Sequence, residues 1–281
     1  MDPQVLVLGA NGQLGRALRD FFPHAHFMAR QDCDLADLGA VQNLDLSDVD
    51  VLINAAAFTA VDAAESSEGA ALAKLINGEA VKILASKAAE AEVVFVHVST
   101  DYVFDGASRK PYTEQDQFAP LGVYAQTKAA GDLAVSNVPR HYILRTSWVI
   151  GDGNNFVRTM ASLADRGIEP AVVDDQIGRL TFTQDLAQAI QHLLQTKAPF
   201  GTYNFSNEGP ASSWADIARQ VYALRGHNPE LVTGVSTEEY YSGKLGIAPR
   251  PLWSMLDLSK IEATGFTPPS WEVRLREYLD A

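Results

Sequence analysis

The apolar positions in the first half of the chain fall into short unbroken runs separated by stretches with helical spacing. Val5–Leu8, His26–Met28, Asp50–Asn54 (DVLIN), Val93–Val98 (VVFVHV) and Tyr142–Trp148 (YILRTSW) read as strands. Most are too uniformly apolar for a sheet with one wet face, which predicts strands covered on both sides. ALRDFF, after Gly15, and Leu72–Ala91 carry helical spacing between them. This alternation predicts an α/β protein built on a doubly wound parallel sheet. Beyond Trp148 the pattern loosens into GDGNNF, Asp174–Thr183 (DDQIGRLTFT), a helix from about Gln184 to Gln195 and a short strand GTYNFS. Helical spacing returns at Trp214–Arg225 and Trp271–Leu279, and the chain shows no repeat, low-complexity segment or linker.

The first break in the pattern carries chemistry. GANGQLG (Gly9–Gly15) stands between a buried strand and a helix start. Gly9, Gly12 and Gly15 leave room for backbone to approach a pyrophosphate at the helix N-terminus, where free N–H groups and the helix dipole favour anions. The spacing is G-x-x-G-x-x-G, distinct from the commoner G-x-G-x-x-G. Arg30 closes the second strand, where an arginine suits a 2′-phosphate, so NADPH is the expected cofactor, with NADH possible. Asp32 and Asp34 lie close by and blur that preference. AAAFTAVDAAE follows the third strand, and its small residues let backbone come close to a cofactor. The expected organisation is a Rossmann-like dinucleotide-binding domain over residues 1–150, to which 180–205 return. A smaller C-terminal substrate-binding lobe is expected from 151–179 and 206–281.

The fourth strand feeds into STDYVFDG (Ser99–Gly106), and VYAQTK (Val123–Lys128) follows. Ligands bind beyond the carboxyl ends of strands in open α/β sheets, so Thr100 points at the expected crevice. A threonine there also serves as a helix cap or turn former. Tyr124 and Lys128 are four residues apart and share a helix face. An ammonium beside a phenol favours the phenolate, so the pair predicts a tyrosine with a lowered pKa acting as an acid/base near neutrality. The spacing alone arises often enough by chance to need the support of its surroundings.

Composition narrows the partners. The chain has 281 residues, 47% of them hydrophobic, enough for a sizeable core. A formal net charge of −13 argues against nucleic acid or an anionic membrane surface as the main partner. Cys33 is the only cysteine, so neither an internal disulfide nor a thiol pair is available. The N-terminus lacks a basic leader region, and no apolar stretch approaches membrane-spanning length, so a reducing cytoplasm is the expected compartment.

Taken together, GANGQLG, NAAAFTAVDAAE, STDYVFDG, VYAQTK, LRTSWV, GNNF and RPLWSMLD resemble the dTDP-4-dehydrorhamnose reductase family of the extended short-chain dehydrogenase/reductase superfamily. The resemblance runs over essentially the whole chain in the family's order. It implies NAD(P)H-dependent reduction of the C4 ketone of dTDP-4-dehydro-L-rhamnose, with Thr100, Tyr124 and Lys128 as the catalytic triad. It further implies a pyrophosphate loop of Gly9, Asn11, Gly12, Gln13 and Leu14, with Arg30 at the ribose end and Asp34 and Leu35 beside the adenine. Ala55, Ala56, Ala57 and Thr59 match the loop under the cofactor, and Asp101 and Trp148 match the lining of the sugar site. Asn155, Gln176, Arg179 and Arg250 fall in segments that cover the nucleotide part of the substrate in related enzymes.

Two positions depart from the family pattern. Gly178-Arg179-Leu180-Thr181 stands where Gly-x-Pro-Thr is usual. Ala17 occupies the position of a glutamate that bridges a metal-linked dimer in some relatives, so no metal site is expected. A monomer or weak homodimer is expected, with fusion to, or association with, other rhamnose-pathway enzymes left open. Two competing readings share the scaffold. One is a nucleotide-sugar epimerase or dehydratase, although a dehydratase places an Asp-Glu pair after the catalytic hydroxyl and here Asp101 precedes Tyr102. The other is a non-catalytic regulatory subunit of a methionine adenosyltransferase type.

Overall fold

The computed structural model describes residues 3–280. Its centre is a six-stranded sheet. β1 (Val5–Leu8), β2 (His26–Met28), β3 (Val51–Asn54), β4 (Val94–Thr100) and β5 (His141–Thr146) come from the first half of the chain, and an edge strand, Gly201–Phe205, joins beside β5. The order across the sheet is edge strand, β5, β4, β3, β1, β2, with every pairing parallel. From β1 the chain steps outward to β2, then crosses back to β3 and onward. This reversal opens a crevice between the carboxyl ends of β1 and β3, where such sheets take ligands.

The helices follow in chain order as α1 (Gln13–Phe21), α2 (Leu38–Gln42), α3 (Ser67–Ala73), α4 (Ala80–Glu90), α5 (Val123–Val135), α6 (Phe156–Asp165), α7 (Thr183–Thr196) and α8 (Trp214–Leu224). Alternate strand residues part to opposite faces, as the pleat requires. Val5, Val7, Val51 and Ile53 meet Leu14 and Leu18 of α1 and Leu186, Ile190 and Leu193 of α7. Leu6, Leu8, Leu52 and Phe95 meet Val81, Leu84 and Ala88 of α4 and Val135 of α5. A third core gathers Val157, Met160, Ile217, Val221, Tyr222 and Trp271. Trp271 is fully buried, and its indole N–H donates to Pro210 O at 3.0 Å.

Two differences from the sequence expectation bear on the site. The helix expected from Leu72 begins at Ser67, because Ser66 caps it by accepting from Gly69 N at 3.1 Å. Between α3 and α4 it widens into a π-turn over Lys74–Glu79. Such a turn inserts a residue and redirects side chains, here burying Asn77. Asn77 Oδ1 accepts from Phe58 N at 2.9 Å, while its Nδ2 donates to Phe58 O and Thr127 Oγ1 at 3.0 and 3.2 Å. The π-turn thereby fastens the loop after β3 to α5. Three short strand pairs, such as Thr233–Val235 with Ala171–Val173, also escape the sequence pattern, being too brief to show a period.

Candidate active site

A cavity of about 950 Å³ lies over the carboxyl ends of the central strands. Its lining brings together Gly9, Asn11, Gly12, Gln13, Leu14, Arg30, Asp34, Leu35, Ala55, Ala56, Ala57, Thr59, Thr100, Asp101, Tyr124, Lys128 and Trp148. Every residue assigned by resemblance to the cofactor, the triad and the sugar lining therefore faces one space.

The glycine loop is shaped by close backbone contacts. Gly9 has φ +87°, and a Cβ there would fall 2.7 Å from Ala56 N. A Cβ on Gly15 would fall 2.1 Å from Gly9 O. α1 then starts with Gly12 as N-cap and no side-chain cap, leaving its first amides free for an anion. Such a cradle fits the pyrophosphate of a dinucleotide. Gln13 Oε1 accepts from Gly151 N at 2.7 Å, and Arg16 donates to Asn11 O and Asp152 O, fixing the loop to the segment after β5. Arg30 sits at the rim with its side chain 74% exposed and pairs with Asp34 at 3.0 Å. The Ala36 amide and Arg30 together hold the Asp34 carboxyl below its ordinary pKa.

At the other end, β4 runs two residues past the expected Val98, pairing Ser99 and Thr100 with Arg145 and Thr146 of β5. Thr100 Oγ1 donates to Asp101 Oδ1 at 2.9 Å and accepts from Tyr102 N at 3.2 Å. α5 carries Tyr124 and Lys128 one turn apart, both buried. The N-cap of α5, Gly122, has no side chain to offer, and Glu65 Oε1 accepts from Val123 N at 2.8 Å instead. Tyr102 meets the Tyr124 ring edge-on, with centroids 5.6 Å apart.

The electrostatics correct one expectation. The Tyr124 phenol is held well above its ordinary pKa, chiefly by burial, with the nearby Thr100 hydroxyl opposing and Asp101 and Asp132 adding to the rise. Lys128 makes its own contacts elsewhere. The ammonium donates to Val98 O at 2.7 Å and lies 3.4 Å from His97 Nε2. Sharing a helix face brought the two stems together, but the long lysine side chain follows its hydrogen-bond partner. Burial pushes Lys128 down to about 8, with Asp132 opposing. Burial pushes Asp101 up to about 6, with Ser254 and Thr100 opposing, and Asp101 Oδ2 has no hydrogen-bond partner among the described residues.

Trp148 adopts φ +47°, and its indole stacks on Trp214, with centroids 3.8 Å apart at 18°. A Cβ on Gly178 would strike the Trp148 ring at 2.8 Å, so the glycine makes room for it. Trp214 also lines the cavity, and the sequence pattern marked it only as a helix start. The four nucleotide candidates sit outside this lining. Asn155 caps α6 and donates to Gly151 O and Tyr278 Oη at 2.7 and 2.8 Å. Gln176 donates to Thr237 Oγ1 at 3.0 Å, and Arg179 donates to Leu256 O at 2.5 Å. Arg250 pairs with Asp62 at 2.8 Å.

Comparison with known proteins agrees with this geometry. The family model described as RmlD substrate binding domain matches residues 3–281. A dTDP-4-dehydrorhamnose reductase of Aggregatibacter actinomycetemcomitans is 36% identical, covering 97% of each chain. A dTDP-4-keto-6-deoxy-D-glucose reductase of Streptomyces niveus is 37% identical, covering 95% of this chain and 93% of its own. The crystal structure of dTDP-4-dehydrorhamnose reductase from Bacillus anthracis in complex with NADP superimposes with TM-score 0.91 at 33% identity, over all of both chains. With the family match spanning the described chain and relatives above one third identity along nearly their whole length, this chain belongs to the dTDP-4-dehydrorhamnose reductase family.

Proposed function

We propose that this chain reduces the C4 ketone of dTDP-4-dehydro-L-rhamnose to dTDP-L-rhamnose, with NADPH as cofactor, in the last step of dTDP-rhamnose synthesis. One observation carries the reading. Thr100, Tyr124 and Lys128 meet at one end of a cavity whose other end is an uncapped helix N-terminus behind a glycine loop.

When bound, NADPH supplies the hydride. The chain supplies proton, charge stabilisation and alignment. Tyr124, kept protonated by its burial, donates its phenolic proton to the oxygen that gains charge as the ketone is reduced. Thr100 donates a hydrogen bond to the same oxygen, an interaction that strengthens as charge develops. Lys128 would hold the hydroxyls of the nicotinamide ribose. Asp101 and Trp148 line the sugar's place. Ser99, Val98 and Ile76 complete the walls of the cavity.

The Streptomyces niveus relative favours a second reading, in which the same chemistry acts on an isomeric dTDP-4-keto sugar. No described helix is long and apolar enough to cross a membrane. We assign the protein to the cytoplasm as a monomer or weak homodimer, with Ala17 buried in the core where metal-bridged relatives carry a glutamate.

The test is loss of nicotinamide absorbance when the protein meets NADPH and freshly generated dTDP-4-dehydro-L-rhamnose, with NADH and the isomeric 4-keto sugar run in parallel. Oxidation that yields dTDP-L-rhamnose supports the reading, and the relative rates give cofactor and sugar preference. Tightly held NAD⁺ with no net oxidation overturns it in favour of an epimerase.

A further inference from the structure

Beneath the catalytic end of the cavity, three polar side chains are closed off from solvent. Asn54 and His97 are 0% exposed and Lys128 is 2% exposed. They come from the end of β3, the middle of β4 and the second turn of α5, so three elements converge on one buried contact.

Hydrogen-bond logic fixes the protons. Ala56 N donates to Asn54 Oδ1 at 3.1 Å, which assigns the amide oxygen to that side. The atom facing His97 Nδ1, at 3.2 Å, is therefore Asn54 Nδ2, which only donates. His97 Nδ1 accepts, and the neutral ring carries its proton on Nε2. That Nε2–H points at Lys128 Nζ, 3.4 Å away, so a ring donor meets an ammonium. Lys128 makes its inward hydrogen bond elsewhere, to Val98 O. Gly131 keeps the arrangement open, because a Cβ there would fall 2.5 Å from Asn77 O and 3.6 Å from His97 Nε2.

We propose that His97, locked as its Nε2–H tautomer by Asn54, is a positioning residue for Lys128. It withholds an acceptor from the ammonium on its inner side, loosens its proton and leaves the remaining N–H groups to face the cavity. The proposal rests on the reading of Lys128 as the group that grips the nicotinamide ribose.

The other groups around Lys128 do not reproduce this effect. On α5, Asp132 attracts the ammonium but is paired with Arg145 of β5 at 3.0 Å, and Tyr124 is a neutral phenol. Asp101 stands at the end of β4. Asn54 and the π-turn's Asn77 are uncharged. Burial and the Lys128 charge keep His97 neutral across the working range.

The test is the NADPH dissociation constant, read by fluorescence titration from about pH 6 to about pH 10, where a lysine lowered by burial titrates. The parent is compared with His97→Asn and His97→Gln. Asparagine offers an acceptor to Asn54 near the place of Nδ1 but nothing at Nε2. Glutamine returns an amide N–H near Nε2. With the ammonium favoured in His97→Asn, the loss of NADPH affinity on raising pH moves upward by about half a pH unit or more. His97→Gln stays with the parent. A role in packing alone would lower the melting temperature of both variants and leave the midpoint in place, which overturns the proposal. A parent affinity that is flat with pH overturns the Lys128 reading and the proposal together, whereas a parent midpoint unmoved by His97→Asn overturns the proposal alone.

Discussion

Thr100 gives its hydroxyl hydrogen to Asp101 Oδ1 across 2.9 Å, so in the proposed reaction this carboxylate and the ketone oxygen would compete for one donor. Only the interaction that strengthens with developing charge accelerates the reaction. Thr100→Val is therefore expected to lower kcat about 10²–10³-fold, the scale found for loss of a single oxyanion donor. NADPH affinity, measured by fluorescence titration, is expected to hold. A kcat within a few-fold of the parent would remove Thr100 from the mechanism.

Asp101 sets a trade of stability against function. Its folded pKa of about 6 lies above its ordinary value of 3.8, so the fold favours the neutral acid. That contribution is complete below about pH 4 and is lost as pH rises through about 6. Above this the buried carboxylate costs up to about 3 kcal/mol, from roughly two pKa units at about 1.4 kcal/mol each. Asp101→Asn is expected to melt several degrees above the parent at pH 8, with the gap closing as pH falls from about 6 to about 4, and with reduced turnover. Calorimetry at pH 8 and at about pH 4 decides it, and a gap as wide at about pH 4 as at pH 8 contradicts the titration argument.

The glycine loop gives a sharper separation. Gly9 combines φ +87° with a Cβ position 2.7 Å from Ala56 N, so alanine there is strained and displaces the loop after β3. Gly9→Ala is expected to weaken NADPH binding at least about tenfold and to lower the melting temperature by several degrees. Calorimetric titration with NADPH reads the first effect, and unaltered affinity would contradict the cradle.

The stack of Trp148 on Trp214 holds Trp148 in its left-handed backbone conformation against the cavity, where the proposed function places the sugar. Removing Trp214 is expected to raise the KM for the sugar nucleotide about tenfold, from an aromatic contact worth roughly 1 kcal/mol and the lost ordering of its partner. NADPH affinity is expected to stay within about twofold, because the cradle lies at the other end. Steady-state kinetics of Trp214→Ala at saturating NADPH reads the difference, and equal loss for both ligands would mark a collapse of the lobe.

What was legible in the sequence was local. Gly9–Gly15 announced its turn through residue type and spacing, the central strands through apolar runs, and Tyr124 with Lys128 through a shared helix face. The sign of the Tyr124 shift was hidden, because i, i+4 spacing says nothing of burial or of the Val98 carbonyl that draws Lys128 aside. The π-turn that buries Asn77 leaves no mark in apolar spacing. Trp214 meets Trp148 from a distant part of the chain, and only tertiary packing joins them. Asn155, Gln176, Arg179 and Arg250 lie in the segments the resemblance indicated, yet their side chains answer to partners such as Tyr278, Thr237, Leu256 and Asp62. Polar side chains follow the nearest unsatisfied group, and that group is set by the fold.

The central claim is that Tyr124 delivers the proton. The most direct measurement is NADPH oxidation with dTDP-4-dehydro-L-rhamnose by Tyr124→Phe, beside an NADPH titration of the same protein. The account predicts NADPH binding close to the parent's and turnover lower by about 10²–10⁴-fold, the usual contribution of a positioned general acid. Turnover near the parent rate, with NADPH still bound, would contradict it.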